Sequence, residues 1–411
     1  MPRATHNALA MRRHRGIISA AMSDVVNAKT LSLCCLTLAA GLSECAMMAI
    51  LPETATGLGV SLSQAGQYIS AYALGVCVGA PLLALCLTQW PPKRILLLLA
   101  LIVFAGNSCT GLSPNHATMV ALRFVSGLPH GAVFGMATIV AERIAVPGKV
   151  SGTVAVAIQG ICVSNVFCVP LCALLAQGVG WSSAFLFIGS WGLLSLLLIA
   201  RFIPRLPSGR ARHGAGMFLF LRRPMPWLLL ALTLLTNNGY FCFYSYVKPY
   251  LTEAVGLPSA AVAPVLLLGG VGMCVGTWLS GRCADRYSPE RTGLGMLVLI
   301  FLCLVAAFAL PQCGGLAIGA VALMSLGVFG VALCWQVLIL RYARGSELLG
   351  AASIQMAFNG GNALGAYLGG LPLDMGLGVE FTALPGILSL LPVFPLLVLM
   401  RRATAGRRAK R

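Results

Sequence analysis

The 411-residue chain is 58% hydrophobic and only 9% charged, with a mean hydropathy of +0.90, which excludes the water-exposed surface of an ordinary soluble domain. Its 28 Lys and Arg against 10 Asp and Glu give a formal net charge of +18, but the basic residues are scattered between apolar runs without an aromatic-rich reading surface, so nucleic acid is not the expected partner. The 15 Cys form no CxxC pair and do not cluster with the 5 His, so no metal, cofactor or disulfide is expected.

Residues 1–29 hold Arg3, Arg12, Arg13, Arg15 and Lys29 ahead of the first apolar run and read as a basic tail. The run that follows is longer than a signal-peptide core and contains Glu44, so cleavage is not expected; Met22 is an alternative start. Apolar runs of about 20 residues, the length that crosses ~30 Å of hydrocarbon as helix, then lie near 30–52, 64–88, 94–113, 116–141, 151–177 and 181–203. A second set lies near 226–252, 258–284, 291–311, 315–340, 347–373 and 381–400, which makes twelve predicted spans. The even-numbered connections carry Lys93 and Arg94, Arg143 and Lys149, Arg201 through Arg223, Arg282, Arg286 and Arg291, and Arg341 and Arg344. The intervening ones are almost bare of Lys and Arg, the positive-inside pattern of a multi-pass membrane protein with both termini cytoplasmic. Anionic lipid of the inner leaflet is the expected partner of those charges. Only Arg123 and Lys248 break the rule.

An all-α fold follows, because a spanning backbone must satisfy its own hydrogen bonds and no run alternates like a barrel strand. The longest polar connection, Pro204 to Pro226, contains Arg205, Arg210, Arg212, Arg222 and Arg223. It divides the chain into a tail (1–29), a first six-helix bundle (30–203), a basic linker (204–225), a second six-helix bundle (226–402) and a basic cytoplasmic tail (403–411). Landmarks recur at an offset of 197 residues: Pro52 and Pro249, Gly59 and Gly256, Thr88 and Asp285, Asn165 and Asn362. Several matches at one offset argue for duplication, and transporters built from two parallel repeats bind near the bilayer midplane between them.

Gly281-Arg282-Cys283-Ala284-Asp285-Arg286 through Arg291 is similar to the loop signature of the major facilitator superfamily. An acid at a helix end with neighbouring arginines can form a charge-assisted network that holds an inner gate closed; the alternative is loop charge that only sets topology. In the first half Thr88 and Gln89 replace the acid and the arginine, so no charged latch is expected there. Arg123, Gly127 and Gly131 match the R-x-x-x-G-x-x-x-G pattern of the proton-coupled drug-efflux branch. Gly160, Asn165 and Pro170 match an antiporter motif in part, with Cys168 and Cys172 where glycines belong. Gly41-Leu42-Ser43-Glu44 through Leu51-Pro52 looks like the start of sugar and drug efflux permeases. Together with Pro147-Gly148-Lys149-Val150, Phe243 through Tyr250 and Glu347 through Ala352, these words make the chain resemble that efflux branch from about Leu31 to Arg402. The resemblance implies twelve helices in two pseudo-symmetric six-helix bundles, with spans 1, 4, 7 and 10 lining a cavity. It also implies a monomer in the bacterial inner membrane.

Glu44 and Arg123 lie about eight and seven residues from the outer ends of their spans, so at ~1.5 Å per residue both sit roughly 10–12 Å below the boundary. Glu44 is the candidate proton-titrating carboxylate, and Arg123 either pairs with it or tunes its pKa; a fixed structural ion pair is the alternative. His130, seven residues beyond Arg123 on nearly the same face, is a candidate relay or a hydrogen-bonded packing residue. Asn237, Asn238, Tyr240 and Tyr244 on span 7 are substrate-contact candidates. So are Trp335 and Gln336 on span 10, Gln355 and Asn359 on span 11, and Gln159 and Asn165 on span 5; these and Asn362 are polar groups inside apolar runs, and each must either find a partner in the bundle or face water. Lys248 reads as a snorkelling boundary residue.

Amides with aromatic platforms suit a neutral polyhydroxylated or mixed polar and aromatic ligand. The expected function is proton-coupled efflux of a small organic solute, such as a sugar, an arabinose-related compound or a drug, by alternating access. Uptake by proton symport, or a transport-inactive sensor or assembly protein, are the alternatives. An enzyme is not expected, because no phosphate-cradling loop or nucleophile constellation is present.

Overall fold

The computed structural model describes residues 25–86, 90–147, 149–207, 220–343 and 347–408. Met22 with most of the N-terminal tail, Thr88 and Gln89, the linker segment 208–219, Arg344 and the last three residues, 409–411, lie outside them. Among the described residues the chain forms helices and no strand. The first six long helices are α1 (Ala28–Ala49), α2 (Leu62–Cys86), α3 (Pro92–Gly111), α4 (His116–Ile144), α5 (Gly152–Gly178) and α6 (Trp181–Phe202). The second six are α7 (Pro224–Tyr244), α8 (Ser259–Arg286), α9 (Pro289–Ala309), α10 (Gly314–Tyr342), α11 (Glu347–Asp374) and α12 (Val379–Met400). Among the described residues, nine of these are long and apolar enough to cross a membrane. The other three, α2, α7 and α11, occupy the places of the predicted second, seventh and eleventh spans.

Local chemistry explains where the helices begin and break. Asn27 caps α1 by accepting from the Lys29 and Thr30 amides at 3.0 and 3.2 Å, while its own amide donates to Thr30 Oγ1 at 3.0 Å. Asn115 caps α4 in the same manner, accepting from the Thr118 amide at 3.0 Å. Inside α4 the regular ladder stops at Leu128 and resumes at His130, because Pro129 has no amide hydrogen to donate. α5 breaks at Gln159 and then widens into a π turn over Ser164–Cys168 ahead of Pro170. The two interrupted helices of the first half are thus the ones that carry Arg123, His130 and Asn165.

Helix contacts repeat the 197-residue offset. Gly75 and Gly79 of α2 lie so close to the carbonyls of Phe124 and Leu128 in α4 that a methyl group at either position has no room. Gly272 and Gly276 of α8, each 197 residues later, meet the carbonyls of Ala322 and Leu326 in α10 in the same way. The duplication is therefore present in the packing as well as in the sequence.

The ends of the bundle differ in charge. One end carries Glu53, Glu253, Asp374 and Glu380, and the other carries Lys93, Arg94, Arg143, Arg201, Arg282, Arg286, Arg291 and Arg341. Toward the acidic end the halves are tied together. Ser63 Oγ donates to Asp374 Oδ2 at 2.7 Å, Gln177 Nε2 to the Ser259 carbonyl at 3.1 Å, and Lys248 pairs with Glu53. Deeper in, Ser70 Oγ donates to the Ala363 carbonyl at 2.8 Å, again joining α2 to α11. The hydrophobic core shows the same asymmetry. One cluster crosses the boundary near the acidic end, uniting Ile50, Leu51, Tyr68 and Ile69 with Tyr246, Tyr250 and Leu251. Near the basic end the first half keeps its own cluster, with Leu33, Leu36, Ile95, Leu99, Val133 and Ala137.

Candidate functional site

Three ionisable side chains meet in the middle of the first half. α1 supplies Glu44, and α4 supplies Arg123 ahead of its proline break and His130 just after it; all three are buried. Glu44 Oε2 stands 3.4 Å from His130 Nε2, an ion pair whenever the imidazole is protonated. Arg123 bonds elsewhere, its Nη1 donating to the Ser43 carbonyl at 2.8 Å and its Nε to the Tyr68 carbonyl at 3.2 Å. Its guanidinium also lies over the Tyr72 ring at 4.3 Å and within 5.7 Å of the Phe185 ring.

The direct Glu44–Arg123 pair expected from depth alone is therefore not formed. His130 takes the position opposite the carboxylate, and the planar donor fork of the arginine finds two backbone carbonyls and an aromatic face instead. Arg123 instead holds the carbonyl of Ser43, the residue next to Glu44.

Tyr72 completes the arrangement. Its hydroxyl is 3.0 Å from His130 Nδ1 and 3.3 Å from the Ala40 carbonyl. With a neutral imidazole carrying its hydrogen on Nε2, the hydroxyl donates to Nδ1; with an imidazolium, Nδ1 donates to the hydroxyl and the hydroxyl donates to Ala40. Both protonation states of His130 thus have a complete hydrogen-bond scheme on that side. Behind the site Ser43 Oγ donates to Asn107 Oδ1 at 2.8 Å, and Asn107 Nδ2 donates to the Val103 carbonyl at 2.8 Å, which pins α1 to α3. Glu44 Oε1 and Arg123 Nη2 are buried and have no hydrogen-bond partner among the described residues.

The residues proposed for substrate contact divide into two groups. Tyr240 and Tyr244 stack with ring centroids 4.7 Å apart, and Tyr240 Oη lies 3.2 Å from Ser325 Oγ on α10. Both belong to the cluster that crosses between the halves, and Cys45, the neighbour of Glu44, packs against it. Asn237 donates Nδ2 to the Thr233 carbonyl at 2.8 Å, and Asn359 donates to the Gln355 carbonyl at 3.0 Å. The Oδ1 atoms of Asn237, Asn359 and Asn362 are buried without a partner among the described residues, the kind of acceptor that a polar ligand satisfies.

The second group is dispersed. Asn238 donates to Ser389 Oγ on α12 at 2.7 Å and serves packing within its own half. Trp335 is fully buried with its ring against Gly293 of α9, away from the Tyr240–Tyr244 stack. Gln336 and Gln159 are exposed, Gln355 is half-buried, and Asn165 lies in the π turn with its carbonyl beside Gly270 of α8. At the basic end Asp285, Arg286 and Arg291 are exposed and Gly281 is half-buried. No ion pair joins Asp285 to an arginine among the described residues, and Arg282 stacks over Trp278 at 3.9 Å.

Lys248 departs from the snorkelling reading, since it is buried and pairs with Glu53 of the other half. Sequence reasoning also passed over Tyr72, Ser43, Asn107 and Ser325. Tyr68 and Tyr72 stand four residues apart on span 2, a polar-aromatic pair on one helix face that marks a lined interior. Asn107 and Ser325 carry no such periodic signal.

The family pattern of the Major Facilitator Superfamily matches residues 33–370. The chain belongs to the Major Facilitator Superfamily. It is a transporter of that superfamily and not an enzyme. It is 39% identical over 361 residues to the AraJ protein of Escherichia coli (strain K12), a match covering 87% of this chain and 91% of that one. It is 33% identical over 359 residues to the inner membrane transport protein YdhP of Escherichia coli (strain K12), covering 86% and 92%. A crystal structure of the nucleoside transporter NupG superposes with a TM-score of 0.74 at 12% identity, over 91% of this chain and 100% of that one, a likeness of fold. The superfamily fold accounts for the twelve helices and their two related halves.

Proposed function

We propose that this transporter exports a small organic solute in exchange for protons, by alternating access in the bacterial inner membrane. The observation that carries the reading is the buried line Glu44, His130 and Tyr72 beside a fully buried Arg123. With His130 neutral, the Glu44 carboxylate and the Arg123 guanidinium cancel. A proton arriving on Glu44 or His130 leaves one uncompensated positive charge in a low-dielectric site, which costs several kcal/mol unless the surroundings rearrange. That cost couples protonation to a change of state, and the hydrogen-bond scheme of Tyr72 lets the proton rest on His130 in passing.

The basic end faces the cytoplasm in this reading, with anionic lipid against its arginines and both termini on that side. The arrangement described above is then closed outward, by Lys248–Glu53 and Ser63–Asp374, with the Asp285 latch disengaged inward. Substrate would sit against the Tyr240–Tyr244 stack, and the unpartnered acceptors of Asn237, Asn359 and Asn362 are the candidate partners of its donors. Stacked rings and neutral amides favour an uncharged polyhydroxylated compound, a sugar or arabinose-related molecule, or a polar aromatic drug. Such a transporter works as a monomer, since each chain contains both halves.

Inverted membrane vesicles test this. An imposed pH gradient is expected to drive accumulation of at least one compound from a panel of labelled sugars and antimicrobials, and to fail to do so with Glu44→Gln. Flux of the Glu44→Gln protein that still followed the gradient would remove the carboxylate from the proton path. Gradient-independent or absent accumulation across the panel would overturn proton-coupled export itself.

A further inference from the structure

We propose that Cys162 of α5 and Cys274 of α8 are a disulfide-forming pair across the two halves, a modification site whose oxidation holds the halves in the arrangement seen here. α5 runs from the basic end toward the acidic end and α8 runs the opposite way, so the two are antiparallel. They touch where Gly270 packs on the backbone of Asn165 and Val166, and a Cβ at position 270 would stand 3.0 Å from Val166 Cα. Only a glycine permits so close an approach. One helical turn toward the basic end is four residues forward on α8, to Cys274, and four residues back on α5 from Val166, to Cys162.

The antiparallel register thus sets the two cysteines opposite each other, one turn from the backbone contact at Gly270. Each thiol lies within the electrostatic reach of the other, and both are half-buried. A disulfide spans a Cα separation of ~4.4–6.8 Å, so it needs helices that approach closely, as these two do at Gly270. At the acidic end of the same helix pair, the Gln177 to Ser259 hydrogen bond keeps the register. Cys34 of α1 is the neighbouring thiol that competes for Cys162.

The chemistry balances with a peroxide as the oxidant. The sulfur of the Cys162 thiol attacks one oxygen of hydrogen peroxide, the O–O bond breaks, the thiol proton passes to the departing hydroxide, and a sulfenic acid and one water result. The Cys274 thiol then attacks that sulfur, the S–S bond forms, and a second water leaves. Two thiols are oxidised by two electrons in all, and the peroxide is reduced to two waters. Hydrogen peroxide is small and uncharged, which suits a half-buried pair inside a bundle. A covalent bond between the halves stops them rocking past each other.

The full chain, purified in lipid nanodiscs, tests the pair without any transport substrate, so its failure is separable from failure of the export reading. After treatment with hydrogen peroxide, maleimide labelling in denaturant is expected to show two of the 15 thiols lost, and peptide mass spectrometry is expected to show Cys162 joined to Cys274. Dithiothreitol should restore both. Cys162→Ser and Cys274→Ser should each abolish the cross-linked peptide, whereas Cys313→Ser, at an exposed cysteine, should keep it. Hydrogen exchange in the segments 51–60 and 247–257 should slow on oxidation of the native chain and not of Cys274→Ser. Full retention of 15 thiols, a Cys162 to Cys34 cross-link in place of the proposed one, or oxidation without slower exchange would each overturn the proposal.

Discussion

Arg123 and Glu44 show how a buried charge is tolerated inside a membrane protein. The guanidinium is held by two carbonyls and a ring face, so removing it leaves the Ser43 and Tyr68 carbonyls short of a donor. Arg123→Ala is expected to cost about 3 kcal/mol or more, as loss of a charged hydrogen-bond donor in a buried site does. Thermal unfolding in detergent would register this as a lower midpoint, and an unchanged midpoint would show that the contacts are dispensable. His130 calls for a different measurement. His130→Gln keeps a hydrogen-bonding side chain but cannot carry a proton. Its gradient-driven flux should fall roughly tenfold or more, a barrier change of ~1.4 kcal/mol, while ligand-induced stabilisation persists. Equal loss of binding and flux would place His130 in packing alone. Tyr72→Phe should lower flux in the same direction, because Nδ1 of His130 loses its partner.

Within the helices, glycine has two roles that one substitution separates. Gly160 of α5 sits against the backbone of α1 at Cys34 and Leu38, and a side chain there meets main-chain atoms that cannot move aside. Gly160→Ala should destabilise the protein by about 1–3 kcal/mol through overpacking. Gly135 of α4 has nothing within 4 Å of where a Cβ would stand. Gly135→Ala should be neutral or stabilising by up to ~1 kcal/mol, since alanine is the better helix former. Matched unfolding curves of the two variants check the contrast, and a comparable loss in both would show that helix approach is not what selects glycine. The breaks in α4 and α5 belong to the same scale. Pro129 and Pro170 each remove a hydrogen-bond donor, and the chain responds with a stop at Leu128 and a π turn over Ser164–Cys168.

At the scale of the whole molecule, closure at the acidic end depends on groups far apart in the chain. Lys248 and Glu53 pair between halves, and Ser63 and Asp374 bond at a cavity of ≈ 390 Å³ that Glu253 and Glu380 also line. Breaking the pair with Lys248→Ala or Glu53→Ala should raise hydrogen exchange in the segments 51–60 and 247–257. The charge swap Glu53→Lys with Lys248→Glu should bring exchange back down relative to either single change. A double-mutant coupling near zero, instead of the ~0.5–3 kcal/mol typical of contacting residues, would mean that the ion pair does not hold the end shut.

Membrane class, all-helical architecture and the duplicated plan were legible in the residues themselves, because hydrocarbon imposes length and apolarity on every span and the 197-residue repeat needs no folding to be seen. Glu44, Arg123 and His130 could also be picked out, since ionisable groups inside apolar runs are costly and therefore conspicuous. Their pairing could not. Depth along two helices says that groups share a level, but rotation about each helix axis, the break at Pro129 and the approach of Tyr72 from α2 put His130 and not Arg123 opposite Glu44. The same limit separated Tyr240 and Tyr244, which stack beside the boundary between the halves, from Trp335, which has a similar composition signal and faces α9. Lys248 looked like a boundary residue until the fold set Glu53, 195 positions away, beside it. Spans are decided by the solvent around each segment, whereas partners are decided by packing between segments that no local pattern encodes.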